Sequence, residues 1–253
     1  MFELIFRILE SKMNGKYNAR RRNPIFFVDN YSYFIPPHRK KGFEMLFEEF
    51  IRIHGGDFPD LRREWIRFDE AEEKREKIMN ASAIVLSGSG FSLRTFRSQR
   101  RFSPLMKVVK KYSENGGAVI GICFGHQLLG HMFGAKVQRM ADRLGPKKGN
   151  EEFGRVVKKL RFEAHFPGTE PNAHCNVVLN HHDEIITTSK FERHFHVVAR
   201  SEETGVVQAI RHKSHCVYGT QFHIETTIGD RGVRKQMQRV FNDFLLEALV
   251  ANP

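Results

Sequence analysis

With 253 residues and 40% hydrophobic content, the chain can bury the core of one full domain, and nothing in its texture calls for a second. Three widely spaced cysteines, Cys123, Cys175 and Cys216, exclude a disulfide framework and fit a reducing, cytoplasmic setting. No apolar run approaches the roughly 20 residues that span a bilayer, and the formal charge of +12 raises the question of an anionic partner.

Residues 1–23 differ in texture from the rest. Met1 to Leu9 is apolar but interrupted by Glu3 and Arg7, with no basic start and no small-residue cleavage site, which argues against a secretory signal. Arg20-Arg21-Arg22 then forms a basic junction before Asn23-Pro24. The segment reads as an accessory extension, a short amphipathic helix packing on the domain or on a partner, and residues 24–253 read as the domain itself.

From Pro24 onward strands alternate with helices. Ile25–Val28 is a predicted strand, and Gly42–Ile53 a helix with Phe43, Leu46, Phe47 and Phe50 on one face. Trp65–Phe68 reads as strand, Ala71–Met79 as helix, Ile84–Leu86 as strand, Pro104–Ser113 as helix and Ala118–Ile122 as strand, with a helix following Cys123. This rhythm predicts a parallel sheet covered on both faces, with a site at the carboxyl ends of its strands. After Phe133 the pattern changes to shorter, mostly antiparallel strands folding over the sheet edge: 156–162, 176–179, 196–199, 206–211 and 217–222. A last helix, Val233–Leu249, carries Met237, Val240, Phe241, Phe244 and Leu245 at helical spacing.

Three stretches carry chemistry. Ala118–Ile122 is an apolar run that ends in Gly121-Ile122-Cys123-Phe124-Gly125 and continues as a helix. A strand turning sharply into a helix strains the turn residue, and small neighbours let its side chain stand above the sheet. The turn sets the sulfur of Cys123 near a helix amino end, which favours the nucleophilic thiolate. A thiol nucleophile needs a base. His223 is the candidate: it follows a β-rich segment, and Glu225, on the same face of extended backbone, would hold its imidazole in one tautomer. The third stretch, Ser87-Gly88-Ser89-Gly90 after a buried strand, offers backbone N–H groups for an oxyanion hole, that of Ser89 with that of Phe124, the residue after the nucleophile.

Other readings are weaker on their motifs. Gly88-Ser89-Gly90 lacks the third glycine of a dinucleotide fingerprint. The histidine-rich stretches at His181-His182-Asp183, His194 and His196, and His212, His215 and Cys216 show no paired zinc spacing, so no metal is expected. Basic clusters at Arg20–Arg22, Arg39–Lys41, Arg97–Arg101, Lys107–Lys111, Lys147–Lys148 and Lys158–Arg161 come with no nucleic-acid motif; a solvated basic exterior, or a face for an acidic protein, is expected in preference to nucleic acid.

Taken in order, Leu86-Ser87-Gly88-Ser89-Gly90, Gly121-Ile122-Cys123-Phe124-Gly125-His126-Gln127, Asn180-His181-His182-Asp183-Glu184 and Gln221-Phe222-His223-Ile224-Glu225 resemble the motifs of the class I (triad) glutamine amidotransferase domain, and the likeness runs over roughly residues 24–248. Cys-Phe-Gly-His-Gln looks like the stand-alone members that resemble the glutaminase domain of GMP synthetase, and γ-glutamyl peptidases share the family. The resemblance implies an α/β fold with a flavodoxin-like, open, mostly parallel sheet flanked by helices and a small antiparallel subsheet. It implies Cys123 as nucleophile toward the glutamine amide, His223 as general acid and base, Glu225 as its orienter, and a γ-glutamyl thioester that water hydrolyses. Gln127, with Gly88 and the backbone from Asn180 through His181 and His182 to Asp183, would hold the substrate, and no cofactor is implied. Two departures stand out: Gly88-Ser89-Gly90 where Gly-Gly-Pro is common, and His223-Ile224-Glu225 where His-Pro-Glu is common. Both remove a proline's constraint on φ. No P-loop or other ATP signature is visible, so ammonia would pass to a separate synthetase partner. The alternatives are a stand-alone γ-glutamyl peptidase or hydrolase and, against the intact Cys123, His223 and Glu225, a non-catalytic binding or regulatory protein.

Overall fold

A computed structural model describes residues 23–250; the extension expected at 1–23 lies outside them apart from Asn23. Five parallel strands form one half of a sheet: β1 (Ile25–Asp29), β2 (Arg63–Arg67), β3 (Ala83–Leu86), β4 (Val119–Ile122) and β11 (Val217–Thr220). The antiparallel strands β6 (Val156–Phe162), β7 (His174–Leu179), β9 (Phe195–Arg200) and β10 (Val207–His212) extend the same sheet, in the order β2-β1-β3-β4-β11-β10-β9-β6-β7. Helices α1 (Pro37–His54), α2 (Arg75–Met79), α3 (Phe96–Glu114), α4 (Phe124–Met132), α5 (Met140–Leu144), α6 (Ser189–Glu192) and α7 (Arg231–Val250) accompany it.

Alternate residues of a strand face opposite sides of its sheet, and β1 divides accordingly. Ile25 and Phe27 join one core with Phe43, Phe47 and Phe50 of α1 and Met237, Phe241 and Phe244 of α7. Phe26 and Val28 join a second with Phe102, Leu105 and Val109 of α3 and Leu128 and Leu129 of α4. Both faces are buried, which is why the central strands read as unbroken apolar runs.

The α/β class and the helix-flanked sheet agree with the sequence, and the differences are local. The late strands do not fold over the edge; short links between β9, β10 and β11 let them continue the sheet without a helical crossover. β11 itself is parallel to β4, because it is reached from the far side of the sheet. The small antiparallel sheet is made by two strands that the sequence pattern does not reveal, β5 (Lys136–Arg139) and β8 (Asp183–Ile186). Helix α1 begins five residues before Gly42, with Pro37 at a first-turn position where no N–H is needed. Helix α3 begins at Phe96, capped by Thr95, whose hydroxyl accepts from Ser98 N at 3.2 Å, and it carries Pro104 inside it. Over 71–79 only Arg75–Met79 is α-helical, preceded by a 3-10 turn at Phe68–Glu70.

Candidate active site

The site lies at the carboxyl ends of β1, β3, β4 and β11. Cys123 stands between β4 and α4 with φ 53° and ψ −101°, a conformation that favours glycine. Its backbone is held on both sides: Cys123 N donates to Thr220 O at 2.7 Å, and Cys123 O accepts from Gln127 N at 3.1 Å. The flanking glycines are needed for clearance. A Cβ on Gly121 would stand 2.4 Å from Gly125 O, and one on Gly125 would stand 2.5 Å from Leu86 O. Cys123 as a whole is 6% exposed.

His223 hangs from the segment after β11, tied by its N–H to Val178 O at 3.0 Å. β11 ends at Thr220, two residues before the expected strand end, so His223 and Glu225 are not on extended backbone as the sequence argument supposes. Here the chain turns, and the turn brings the carboxylate back to the ring: His223 Nδ1 and Glu225 Oε1 are 2.7 Å apart. The other ring nitrogen, Nε2, is buried without a regular hydrogen bond and has the Cys123 side chain as its electrostatic neighbour. Burial works to lower the His223 pKa, but Glu225 and Cys123 outweigh it and raise it above the ordinary imidazole range. Burial likewise works to raise Glu225, and His223 with Arg39 holds it well below the carboxylate range.

Gly88 closes the group. A Cβ built there would be 3.4 Å from His223 Cε1, 3.5 Å from the Tyr31 hydroxyl and 3.6 Å from Cys123 Cβ, so this glycine faces all three. The loop it opens is braced on the end of β1: Asn30 Nδ2 donates to Ser87 O at 2.8 Å, and the Ser89 hydroxyl donates to Asn30 O at 2.7 Å. Phe124 is the first residue of α4, where a backbone N–H has no partner within its own helix.

The segment from Asn180 to Asp183 is held by a buried polar cluster. Gln127 Nε2 donates to Asp183 O at 3.0 Å and lies 3.2 Å from Gln221 Oε1, so the amide nitrogen of Gln127 is engaged by protein. The His181 ring lies between Asp183 O at 3.1 Å and Glu152 Oε2 at 2.9 Å. Glu152, fully buried, also accepts from the Thr204 hydroxyl and from Gln208 Nε2 at 2.5 Å. Asn180 Oδ1 accepts from Gly154 N at 3.2 Å, and the His182 ring stacks on Phe153 with centroids 3.7 Å apart. Asp183 takes the Ser92 hydroxyl and Arg139 Nε, the latter at 3.1 Å. His126 packs against Gly219 beneath the elbow, and burial pulls its pKa down to about 3, so it is neutral.

Cys123, His223, Glu225 and Gly88 thus meet at one end of the sheet, with Gln127, His181 and Asp183 joined in the adjoining polar cluster, while the side chains of Asn180 and His182 meet Gly154 and Phe153. The sequence reasoning misses Tyr31, Arg39, Ser92, Arg139 and Glu152. Of these only Arg39 left a signal: Pro36-Pro37 marks a helix start that would set it in the first turn. The histidines near 212 go elsewhere; the His212 and His215 rings pack together 4.7 Å apart, with Phe133 5.5 Å from His212.

The family model for the class-I glutamine amidotransferase matches residues 60–245. The chain belongs to the class-I glutamine amidotransferase family. This amidotransferase is 32% identical over 157 residues to a glutamine-hydrolysing GMP synthase subunit of Pyrococcus abyssi, covering 62% of this chain and 72% of that one. It is 30% identical over 158 residues to the GMP synthase of Thermosipho melanesiensis, but there 62% of this chain matches only 27% of the relative. Among solved structures, a glutamine amidotransferase from Thermotoga maritima superposes with a TM-score of 0.63 at 18% identity, covering 90% of this chain and 98% of that one. A protein from Thermoplasma acidophilum, described as a GMP synthase subunit, gives 0.61 at 23% identity, covering 88% and 94%. These two likenesses are of fold. Among its described residues the amidotransferase has no helix long and apolar enough to cross a membrane.

Proposed function

We propose that this chain hydrolyses the side-chain amide of glutamine through a γ-glutamyl thioester on Cys123 and passes the ammonia to a separate acceptor enzyme. The observation that carries the reading is the strained elbow, which holds Cys123 beside His223 with Glu225 on the far ring nitrogen. The thiolate attacks the amide carbon, and the carbonyl electron pair moves to oxygen, where the N–H groups of Ser89 and Phe124 stabilise it. His223, carrying the thiol proton, gives it to the departing nitrogen, so ammonia leaves as the carbonyl re-forms. His223 then takes a proton from water, the hydroxide attacks the thioester, and as glutamate leaves His223 returns the proton to the departing sulfur, restoring the thiol. Glu225 balances the imidazolium during both halves. Gly88 gives clearance for the substrate, while Gln127, His181 and Asp183, bonded to one another, fix the backbone of Asn180 to Asp183 against the amino-acid end of glutamine.

A separate acceptor is supported by relatives that are named as GMP synthase subunits, a name that denotes one part of a larger enzyme. The test measures ammonia and glutamate release from glutamine, and glutamate release from a γ-glutamyl dipeptide, with Cys123→Ala and His223→Ala beside the unaltered protein. Glutamine turnover that vanishes in Cys123→Ala and falls by about 100-fold or more in His223→Ala is expected. Near-normal activity in either variant refutes the mechanism, and turnover of the dipeptide alone replaces the amidotransferase by a γ-glutamyl hydrolase.

A further inference from the structure

Glu225 stands in a turn with no strand partner to hold it, and Ile224 beside it leaves φ free where a proline would restrict it. Something else must fix the carboxylate. Arg39 Nη1 donates to Glu225 Oε1 at 2.8 Å, the same oxygen that meets His223 Nδ1, and the two side chains are only 11% and 1% exposed. One turn along α1, Gly42 packs so closely that a Cβ would stand 1.9 Å from Glu225 O. Two points of one helix face therefore grip one residue, at its carboxylate and at its carbonyl.

We propose that the first two turns of α1 form a clamp that positions Glu225, and through it the imidazole of His223: Arg39 holds the carboxylate and Gly42 seats the carbonyl. Helix α1 is rigid enough for this. Pro36 and Pro37 open it, Phe43 packs on Phe27 and Trp65 at 5.7 and 5.9 Å, and Gln238 of α7 donates to Leu46 O at 3.0 Å. Both clamp residues precede the 60–245 stretch matched by the family model. Arg39 touches neither Cys123 nor the substrate in this scheme and acts only through Glu225. The charged or titratable groups facing Glu225 are His223, Arg39, His38 and Tyr31. Glu225 Oε2 has no partner, so losing Arg39 leaves His223 as the one side chain bonded to the carboxylate among the described residues.

The proposal rests on reading His223 as the base and Glu225 as its orienter. It is tested with Arg39→Met and Arg39→Lys, each alone and in a Glu225→Gln background. The first readout is kcat and KM for glutamine against pH. The second is the rate at which iodoacetamide alkylates Cys123 against pH, followed on the peptide that contains it; this reads the Cys123–His223 pair without turnover. Arg39→Met should lower kcat by about tenfold or more with KM little changed. It should move the acid limb of both profiles up by about one pH unit, because a carboxylate without its guanidinium takes up a proton more easily. Lysine keeps the charge and should restore the acid limb. With Glu225→Gln already in place, Arg39→Met should cost less than about twofold. An unmoved acid limb, or an equal loss with and without the carboxylate, overturns the clamp. If Arg39→Met folds only in the Glu225→Gln background, its defect is the orphaned charge and the pairing stands; if it folds in neither, Arg39 is a structural residue and the proposal falls. A protein that turns over no glutamine refutes the proposed function, while the alkylation profile still decides the clamp.

Discussion

Replacing Glu152 by glutamine exchanges one carboxylate oxygen for an NH2 group and removes one charge, in a place where the fold has little room to adjust. The carboxylate is fully buried and serves three partners, the Thr204 hydroxyl, Gln208 Nε2 at 2.5 Å and the His181 ring at 2.9 Å. An amide keeps one acceptor oxygen, but its NH2 then meets a donor, and one of the three partners loses its acceptor. Breaking a buried pair from one side costs about 3–5 kcal/mol, and the retained oxygen reduces that to about 2–4 kcal/mol. For a domain of this size the melting temperature should fall by roughly 5–15 °C. The pH dependence gives a sharper signature. Burial alone would raise the Glu152 pKa, but the hydrogen bonds and charge it meets, from the His181 ring first and then the Thr204 hydroxyl, outweigh it and hold it below its ordinary 4.5. A depressed carboxylate contributes stability in full above the unfolded value and loses it as pH falls through the folded one. The gap between the two proteins should therefore be widest near neutrality and close below pH 4.5. Urea unfolding at several pH values measures both quantities. A cost under about 1 kcal/mol at neutral pH, or a gap that stays constant into acid, would refute this account of the cluster.

Two further substitutions probe the elbow. Gly125→Ala forces a Cβ to within 2.5 Å of Leu86 O, which is backbone and cannot swing away; a loss of about 1–3 kcal/mol is expected together with reduced turnover, and an unchanged thermal melt would show that the turn is looser than described. His126 is buried and neutral, with its pKa pulled down from 6.5 to about 3. A depressed histidine contributes stability above its unfolded value and loses it as pH falls, here from 6.5 towards 3, by up to about 1.4 kcal/mol per unit. His126→Gln should flatten that slope in chemical unfolding, and an identical slope would mean that the imidazole charges without unfolding.

What the sequence discloses and what it hides follow from distance along the chain. The elbow is legible because its causes are local: an apolar run, a cysteine and glycines on either side, each needed by the turn it makes. The His223–Glu225 pair is legible from spacing, although a turn makes the contact and extended backbone does not. Arg39 meets Glu225 across 186 residues, and Glu152 meets Thr204 across 52; no periodicity records such meetings. Strands β5 and β8 are short, and charged or polar residues make up half of each or more, so neither alternation nor a continuous apolar run marks them. The start of α3 is obscured by Pro104, which resembles a first-turn proline but lies inside the helix.

The place of β11 in the sheet governs the order in which the fold and its candidate site are completed. Strand β4 finds its second neighbour only in Val217–Thr220, after the chain has built β5 through β10. Until those residues arrive during synthesis, the β4 edge is unpaired, and open apolar edges invite association with other chains. The same delay keeps Cys123 apart from His223, which lies just beyond the end of β11. Closing the sheet late slows folding, because the contact spans so much sequence. If Cys123 and His223 act as proposed, a partly made chain holds a thiol without its base, and ammonia release begins only when the last central strand has docked.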